Sequence, residues 1–283
     1  RREHGPTPRQ TQLASRSATA FTVYIAYILL LLAALGGYDY YISASGPGPK
    51  NGKRLVRGLV QSTRFFLSLG VGVAVVVPLV RSGQRLITSV LASLPFVFAA
   101  MGGFAINDYK DADRDQVSKP HRTIPSGTLS RAAVLQTGKV LIYLSIITAL
   151  VAADDSLDIA LYACAIVGVI LYNPFVAALP MFKGVFAGML CTLPIIYDIA
   201  HLHWGRHLAV LGMSAFLFIV GREILMDVLD VEGDSLAGLR TVPVAIGARR
   251  ASILGIALTV LAGLLLAPAA ALSATNGALY TLL

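Results

Sequence analysis

LITSVLASLPFVFAAMGGFAINDYKDADRD (residues 86–115) begins as a run of 22 uncharged residues and ends with four aspartates inside eight positions. About 20 apolar residues are enough to cross a bilayer as a helix. The carboxylates of Asp108, Asp111, Asp113 and Asp115 therefore fall where such a helix leaves the hydrocarbon. Ionisable groups at a membrane edge are costly and mark function by default.

The apolar character extends along the whole chain. Of 283 residues, 56% are hydrophobic and 13% charged, with mean hydropathy +0.72, whereas soluble globular chains carry about 25% charged residues. Runs at 19–43, 63–80, 86–106, 132–153, 157–173, 178–200, 207–226 and 250–272 are expected to be helices, and another run starts near 276 and reaches Leu283. The expected fold class is all-α, a polytopic transmembrane helical bundle around a central cavity. Inside a bilayer, backbone groups must be satisfied within a helix or a closed barrel. Two regions are expected. Residues 1–54 hold a basic tail, an extra hydrophobic helix and a Pro/Gly linker, SASGPGPKNGKR. Residues 55–283 form the transmembrane domain, whose last helix reads as incomplete. The 18–43 run is long for a signal-peptide core and reads as an anchoring helix. RLVRGLVQSTRFF (54–66) reads as a basic interfacial segment leading into the next helix.

The net charge of +8 resides in loops, which membrane topology explains and nucleic-acid binding does not. Cys164 and Cys191 fall inside apolar runs and read as small core residues, with no disulfide or metal site implied. Loops 107–131, 174–183 and 222–250 carry Lys110, Arg114, Lys119, Arg122, Arg131, Lys183, Arg222, Arg240, Arg249 and Arg250. The loops between them carry Asp154 and Asp155, or His201, His203, Arg206 and His207. Positive charge places the first set on the cytoplasmic side. That side then holds a second acidic segment, REILMDVLDVEGD (222–234).

Asp108, Asp111 and Asp115 are spaced three then four, and so are Asp227, Asp230 and Asp234. At ~100° per residue each triplet falls within ~60° of one helix face. Asp113 and Glu232 point off that face, and Asn107 and Glu223 are placed to add oxygen ligands or orient the carboxylates. Oxygen ligands without clustered His or Cys suit Mg2+, which completes its shell with water and substrate phosphates. Two such stripes facing each other would bring two or more ions and a diphosphate together. His201, His203 and His207 have metal-like spacing but sit at the opposite end, where an interfacial role is expected, with Trp204 as an anchor. Tyr172 and Tyr197 are candidates either for stabilising a cation through their ring faces or for the interfacial belt. Asp198, near the outer end of its helix, is expected to be solvated.

These segments resemble the UbiA-type intramembrane prenyltransferase superfamily. NDYKDADRD (107–115) resembles its NDxxDxxxD motif and DVLDVEGD (227–234) its DxxDxxxD motif. KPHRTIPSG (119–127) is similar to its RPxRPxPSG stretch, and the YNP segment ending at Lys183 to its Tyr-Pro…Lys segment. The pattern is closest to the digeranylgeranylglyceryl phosphate synthase-like branch. The resemblance covers about 55–250 and implies a helical bundle with the Asp-rich motifs at its cytoplasmic end. It implies that Asn107, Asp108, Asp111 and Asp115 hold one Mg2+, and Asp227, Asp230 and Asp234 another. Asp108, Asp111, Asp227 and Asp230 would be catalytic, and Lys119, Arg122, Lys183 and Arg240 would bind the diphosphate of a polyprenyl donor. An aromatic or hydroxyl small-molecule acceptor would then take the prenyl group. Lys119 and Thr123 depart from the family's Arg and Pro, and the family has nine helices where this chain offers seven complete ones and the start of another after 19–43. Two other outcomes share these residues: a membrane terpene cyclase acting on the diphosphate alone, and a non-enzymatic isoprenoid diphosphate carrier.

Overall fold

A computed structural model describes residues 52–202 and 205–275. The anchoring helix expected at 19–43, the run from 276, His203 and Trp204 lie outside these residues. Every regular element among the described residues is helical. They are α1 (Gly52–Ser62), α2 (Phe65–Arg81), α3 (Leu86–Ser118), α4 (Arg131–Ala152), α5 (Ser156–Ala178), α6 (Lys183–His201), α7 (Gly205–Leu229), α8 (Val231–Leu236), α9 (Val242–Ile246) and α10 (Ala248–Thr275). A 3-10 turn, Pro180–Phe182, precedes α6. Among the described residues, six helices are long and apolar enough to cross a membrane: α3, α4, α5, α6, α7 and α10. The chain is an integral, multi-pass membrane protein.

The expected helix at 63–80 is different. α2 has 17 residues and reaches a spanning length only together with α1, from which it is bent by 52°. The bend falls at Arg64, whose backbone is left-handed at φ 46°, a conformation that costs a non-glycine side chain free energy. Apolar periodicity carries no sign of it.

Start signals lie where capping chemistry puts them. The Ser130 hydroxyl accepts from Ala133 N–H to open α4, and the Asp155 carboxylate accepts from Leu157 and Asp158 N–H to open α5. Each cap satisfies donors that the first helical turn leaves unpaired. Neither Pro174 nor Pro194 ends its helix: α5 continues through Pro174 to Ala178, and α6 through Pro194 to His201. α3 likewise runs unbroken through Pro95 and on through the acidic stretch to Ser118.

α3 is the central element, packed against α2, α4 and α5, while α7 packs against α6 and α10. Two of these contacts are backbone-close. A Cβ on Gly102 of α3 would lie 3.0 Å from the Gly138 carbonyl oxygen of α4, and one on Gly221 of α7 would lie 2.7 Å from that of Gly255 on α10. Small residues allow such approach where lipid supplies no hydrophobic drive between helices. Hydrogen bonds cross the same interfaces, from Ser145 Oγ to the Pro95 carbonyl (2.7 Å) and from Ser214 Oγ to the Ala262 carbonyl (2.8 Å).

The outer faces are apolar: Leu150, Val151, Tyr143 and Leu264 are all exposed. Cys164 and Cys191, expected in the core, are both exposed. Lipid is as apolar as a core, so apolar sequence does not tell inside from outside. Asp198, expected to be solvated, is 1% exposed. It sits beside the buried aromatic cluster of Phe96, Tyr162 and Tyr197, at the α6 end away from the acidic segments. Here too belongs His201, stacked on Tyr197 at 4.3 Å with Nε2 2.9 Å from Asp158 Oδ1. Tyr197 is therefore a core residue rather than a belt residue. Phe96 precedes Asp108 by 12 residues of α3, ~18 Å of helix rise.

Candidate active site

The acidic stretch of α3 is helical throughout, so its triplet forms one stripe. Asp108 and Asp115 are buried, Asp111 is half-buried, and Asp113 is turned out to an exposed pair with Arg131 at 2.9 Å. The second triplet repeats this burial pattern: Asp227 and Asp234 are buried and Asp230 half-buried, with Glu232 exposed. It does not sit on one continuous helix as its spacing suggests. α7 ends at Leu229, Asp230 is the turn residue (φ −100°, ψ 4°), and α8 carries Asp234. The turn is closed by Asp230 N–H on the Asp227 carbonyl (3.2 Å) and Asp234 N–H on the Asp230 carbonyl (2.9 Å). A redirected backbone thus keeps the three carboxylates on one side of the chain.

Cations join the two triplets. Lys119 Nζ donates to Asp230 Oδ2 at 2.6 Å across 111 residues of sequence. Arg114, within the first acidic stretch, lies 3.0 Å from Asp111 and 3.7 Å from Asp234. Arg122 Nη1 reaches Asp108 at 3.0 Å and Asp115 at 3.3 Å. Lys183, at the start of α6, bonds Asp227 and lies 3.7 Å from Glu223. Asn107 Nδ2 donates to Asp111 Oδ2 at 2.9 Å, orienting that carboxylate. Of the four basic residues expected here, Lys119, Arg122 and Lys183 sit among the carboxylates. Arg240 is exposed and has no hydrogen-bond or ion-pair partner among the described residues.

Two residues join the set without having been singled out in the sequence. Arg64, at the α1–α2 bend, has Nη2 3.3 Å from Asp108 Oδ1 and its guanidinium 5.8 Å from the Phe104 ring centre. Arg114 read only as a loop charge. Its position between Asp111 and Asp115, on the same continuous helix, was the available signal.

The loop carrying Lys119 and Arg122 is itself fixed. The Thr123 carbonyl accepts from Thr128 and Leu129 N–H, and Gly127 supplies a positive φ of 66° that glycine adopts freely. From α1, Arg54 Nη2 donates to the Gly127 carbonyl at 2.5 Å and Gln61 Nε2 to that of His121 at 3.4 Å. The interfacial segment therefore braces the basic loop over the acidic helix.

Charge balance explains how buried carboxylates survive here. Burial works against the charged Arg122 guanidinium, but Asp108, Asp115, Asp111 and Asp230 outweigh it and hold its pKa above the ordinary value. Burial pushes the Asp234 carboxyl above its usual range, opposed in part by Arg114 and Lys183. Among the described residues no three acidic, His or Cys side chains converge as a ready-made metal cage. The donor set nevertheless fits Mg2+. It is all oxygen, it is rich in charge, and Asp115 Oδ1 is buried with no hydrogen-bond partner. A cation that keeps several waters and phosphate oxygens needs only one or two carboxylates from each segment.

Tyr172, toward the C-terminal end of α5, stacks on Phe186 at 6.1 Å, and Phe186 stacks on Phe175 at 4.4 Å. These half-buried rings lie on α5 and α6 close to Lys183 in sequence.

Comparison with known proteins matches residues 65–283 to the UbiA prenyltransferase family. A digeranylgeranylglyceryl phosphate synthase from Methanoregula boonei is 30% identical over 210 residues, 73% of this chain and 75% of the relative. One from Pyrococcus horikoshii is 32% identical over 165 residues, 58% of this chain and 59% of the relative. A solved structure described as a digeranylgeranylglyceryl phosphate synthase in membranes superimposes with a TM-score of 0.58. It is 21% identical in sequence and covers 75% of this chain and 76% of its own.

Proposed function

Because this chain belongs to the UbiA prenyltransferase family, we propose that its two aspartate triplets form one Mg2+-dependent site that moves a polyprenyl group from a diphosphate donor to a hydroxyl acceptor. The observation that carries this reading is the pair of contacts joining the triplets, Lys119 to Asp230 and Arg114 to Asp234. Carboxylates and cations from both acidic segments thereby face one another at one end of the bundle.

Asn107, Asp108, Asp111 and Asp115 would hold one ion, and Asp227, Asp230 and Asp234 another. Bound magnesium supplies positive charge against the oxygens of the departing diphosphate. Lys119, Arg122 and Lys183 exchange their carboxylate partners for diphosphate oxygens and stabilise the charge that develops on the leaving group. Arg122 is suited to a bidentate grip, and Lys119 and Lys183 act as point charges. The polyprenyl tail, of the geranylgeranyl or farnesyl class, lies in the apolar interior between the helices. That interior excludes water from the electron-deficient C1.

The acceptor follows from the relatives. A synthase of digeranylgeranylglyceryl phosphate must attach a geranylgeranyl group to an oxygen of a glyceryl phosphate, which supports a hydroxyl rather than an aromatic carbon as nucleophile here. The Lys and Arg residues around the triplets, against Asp154 and Asp155 at the other end, support a cytoplasmic orientation for the site.

Purified protein in lipid nanodiscs, given geranylgeranyl diphosphate, geranylgeranylglyceryl phosphate and Mg2+, is expected to release diphosphate and form the diether. A cyclic hydrocarbon formed from the diphosphate without acceptor would overturn the transfer reading.

A further inference from the structure

We propose that Glu223 is the proton acceptor for the attacking hydroxyl. This inference rests on the hydroxyl-acceptor reading above, and it gives a role to a carboxylate that neither acidic triplet includes.

Glu223 lies on α7 four residues before Asp227, hence on the same helix face and ~6 Å closer to the membrane interior. It is half-buried, with 17% of its side chain exposed. The start of α6 covers it: a Cβ on Gly184 would stand 3.3 Å from the Glu223 Cβ. Its two oxygens are held unequally. Arg222 Nη1 donates to Oε1 at 2.6 Å. Oε2 lies 3.7 Å from Lys183 Nζ, beyond hydrogen-bonding distance, while that ammonium bonds Asp227 instead. One oxygen is thereby anchored and the other is left to accept.

Its depth is what distinguishes it. The triplet carboxylates face the diphosphate, and the prenyl tail extends from them into the bundle, so C1 lies just inside the triplets. Glu223 is one helical turn inside Asp227. Asp158 and Asp198, the other buried carboxylates outside the triplets, belong to the opposite end. Asp198 is 15 residues along α6 from Lys183, ~22 Å of helix rise.

The chemistry balances without another reactant. The acceptor oxygen gives a lone pair to C1 and forms the ether bond. The bond from C1 to the diphosphate oxygen breaks, and its electron pair leaves with the diphosphate. The hydroxyl proton passes to Glu223 Oε2 and returns to water when the products depart. A hydroxyl already bonding to an electron-deficient carbon is a far stronger acid than any carboxylic acid, so a carboxylate within reach suffices as base.

The test compares ether formation with water capture of the same donor. Wild-type protein, E223Q and E223A are given geranylgeranyl diphosphate and Mg2+, with or without geranylgeranylglyceryl phosphate, and ether and geranylgeraniol are quantified by mass spectrometry. E223Q is expected to lose ether formation by about 10²–10⁴-fold, a far larger loss than that of donor affinity or geranylgeraniol release. In E223A, added formate is expected to restore part of the ether formation, a rescue that a purely structural Glu223 would not show. Full ether formation in E223Q overturns the inference alone, as does a parallel loss of donor affinity and geranylgeraniol release, or E223A that formate leaves unrescued. Absence of ether from the wild type overturns the hydroxyl-transfer reading itself and this inference with it.

Discussion

Arg122 and Arg131 are both arginines paired with aspartates of the same acidic stretch, and they should behave differently. Arg122 bridges the buried Asp108 and Asp115, and removing it takes the hydrogen-bonded ion-pair partner from the Asp115 carboxylate. Breaking a buried pair costs ~3–5 kcal/mol, so R122A is expected to lower the thermal transition in detergent markedly. Arg131 and Asp113 are exposed, and such pairs contribute ~0–1 kcal/mol. R131A is expected to leave the transition within error. Replacing Asp108 or Asp227 by Asn removes charge and keeps shape. Each is expected to slow diphosphate release from an allylic donor about a hundredfold or more, the scale seen when one group stabilising developing charge is lost. A wild-type rate in both variants would remove the triplets from the reaction. The spacing of the aspartates was legible because three-then-four is a helical repeat. Arg64 was not, since its contact with Asp108 depends on a left-handed backbone turn and on which helix folds beside it.

At the scale of elements, α3 followed its sequence and α7 did not. Both carry an acidic triplet after an apolar run, yet only α3 stays helical through it. The segment Asp227–Asp234 includes Gly233, a weak helix former, and propensity alone does not say which residue takes the turn. The glycine contacts are better determined. Gly102 and Gly221 each precede the first aspartate of their triplet by six residues, and each lets its helix approach a neighbour's backbone. G221L is expected to push α10 away from α7. Overpacking of this kind costs ~1–3 kcal/mol, and it should appear as a lower thermal transition together with weakened donor binding, because Asp227 moves with its helix. The same substitution at Gly263, where a Cβ would meet nothing within 4 Å, serves as the control and should change neither.

For the whole molecule, the membrane class and six of the spanning helices among the described residues could be read from apolar runs, but not which face of each helix looks inward. That is why Cys164, expected in the core, is found exposed: lipid and protein interior select the same side chains. Asp198 was misplaced for another reason, since nearness to a helix end does not show what folds over it. Charge compensation is a property of the whole site. Each triplet carboxylate already has an Arg, Lys or Asn partner, so the fold does not depend on added metal. Chelation is therefore expected to abolish product formation while shifting the thermal transition by no more than ~2–4 °C, the change about 1 kcal/mol produces in a chain of this size. Collapse of the fold on chelation would show that the ions are structural.

The division of that compensation between near and distant partners bears on how the protein is made. Asp108 and Asp115 find Arg122 within 14 residues, whereas Lys119 waits for Asp230, 111 residues further on. At ~10 residues per second a ribosome takes on the order of ten seconds to cover that interval. During it the first half of the site stands in the membrane without its counterpart, guarded by its own arginine. The nascent chain can thus pause at any point between the two halves without exposing its most deeply buried acids to lipid.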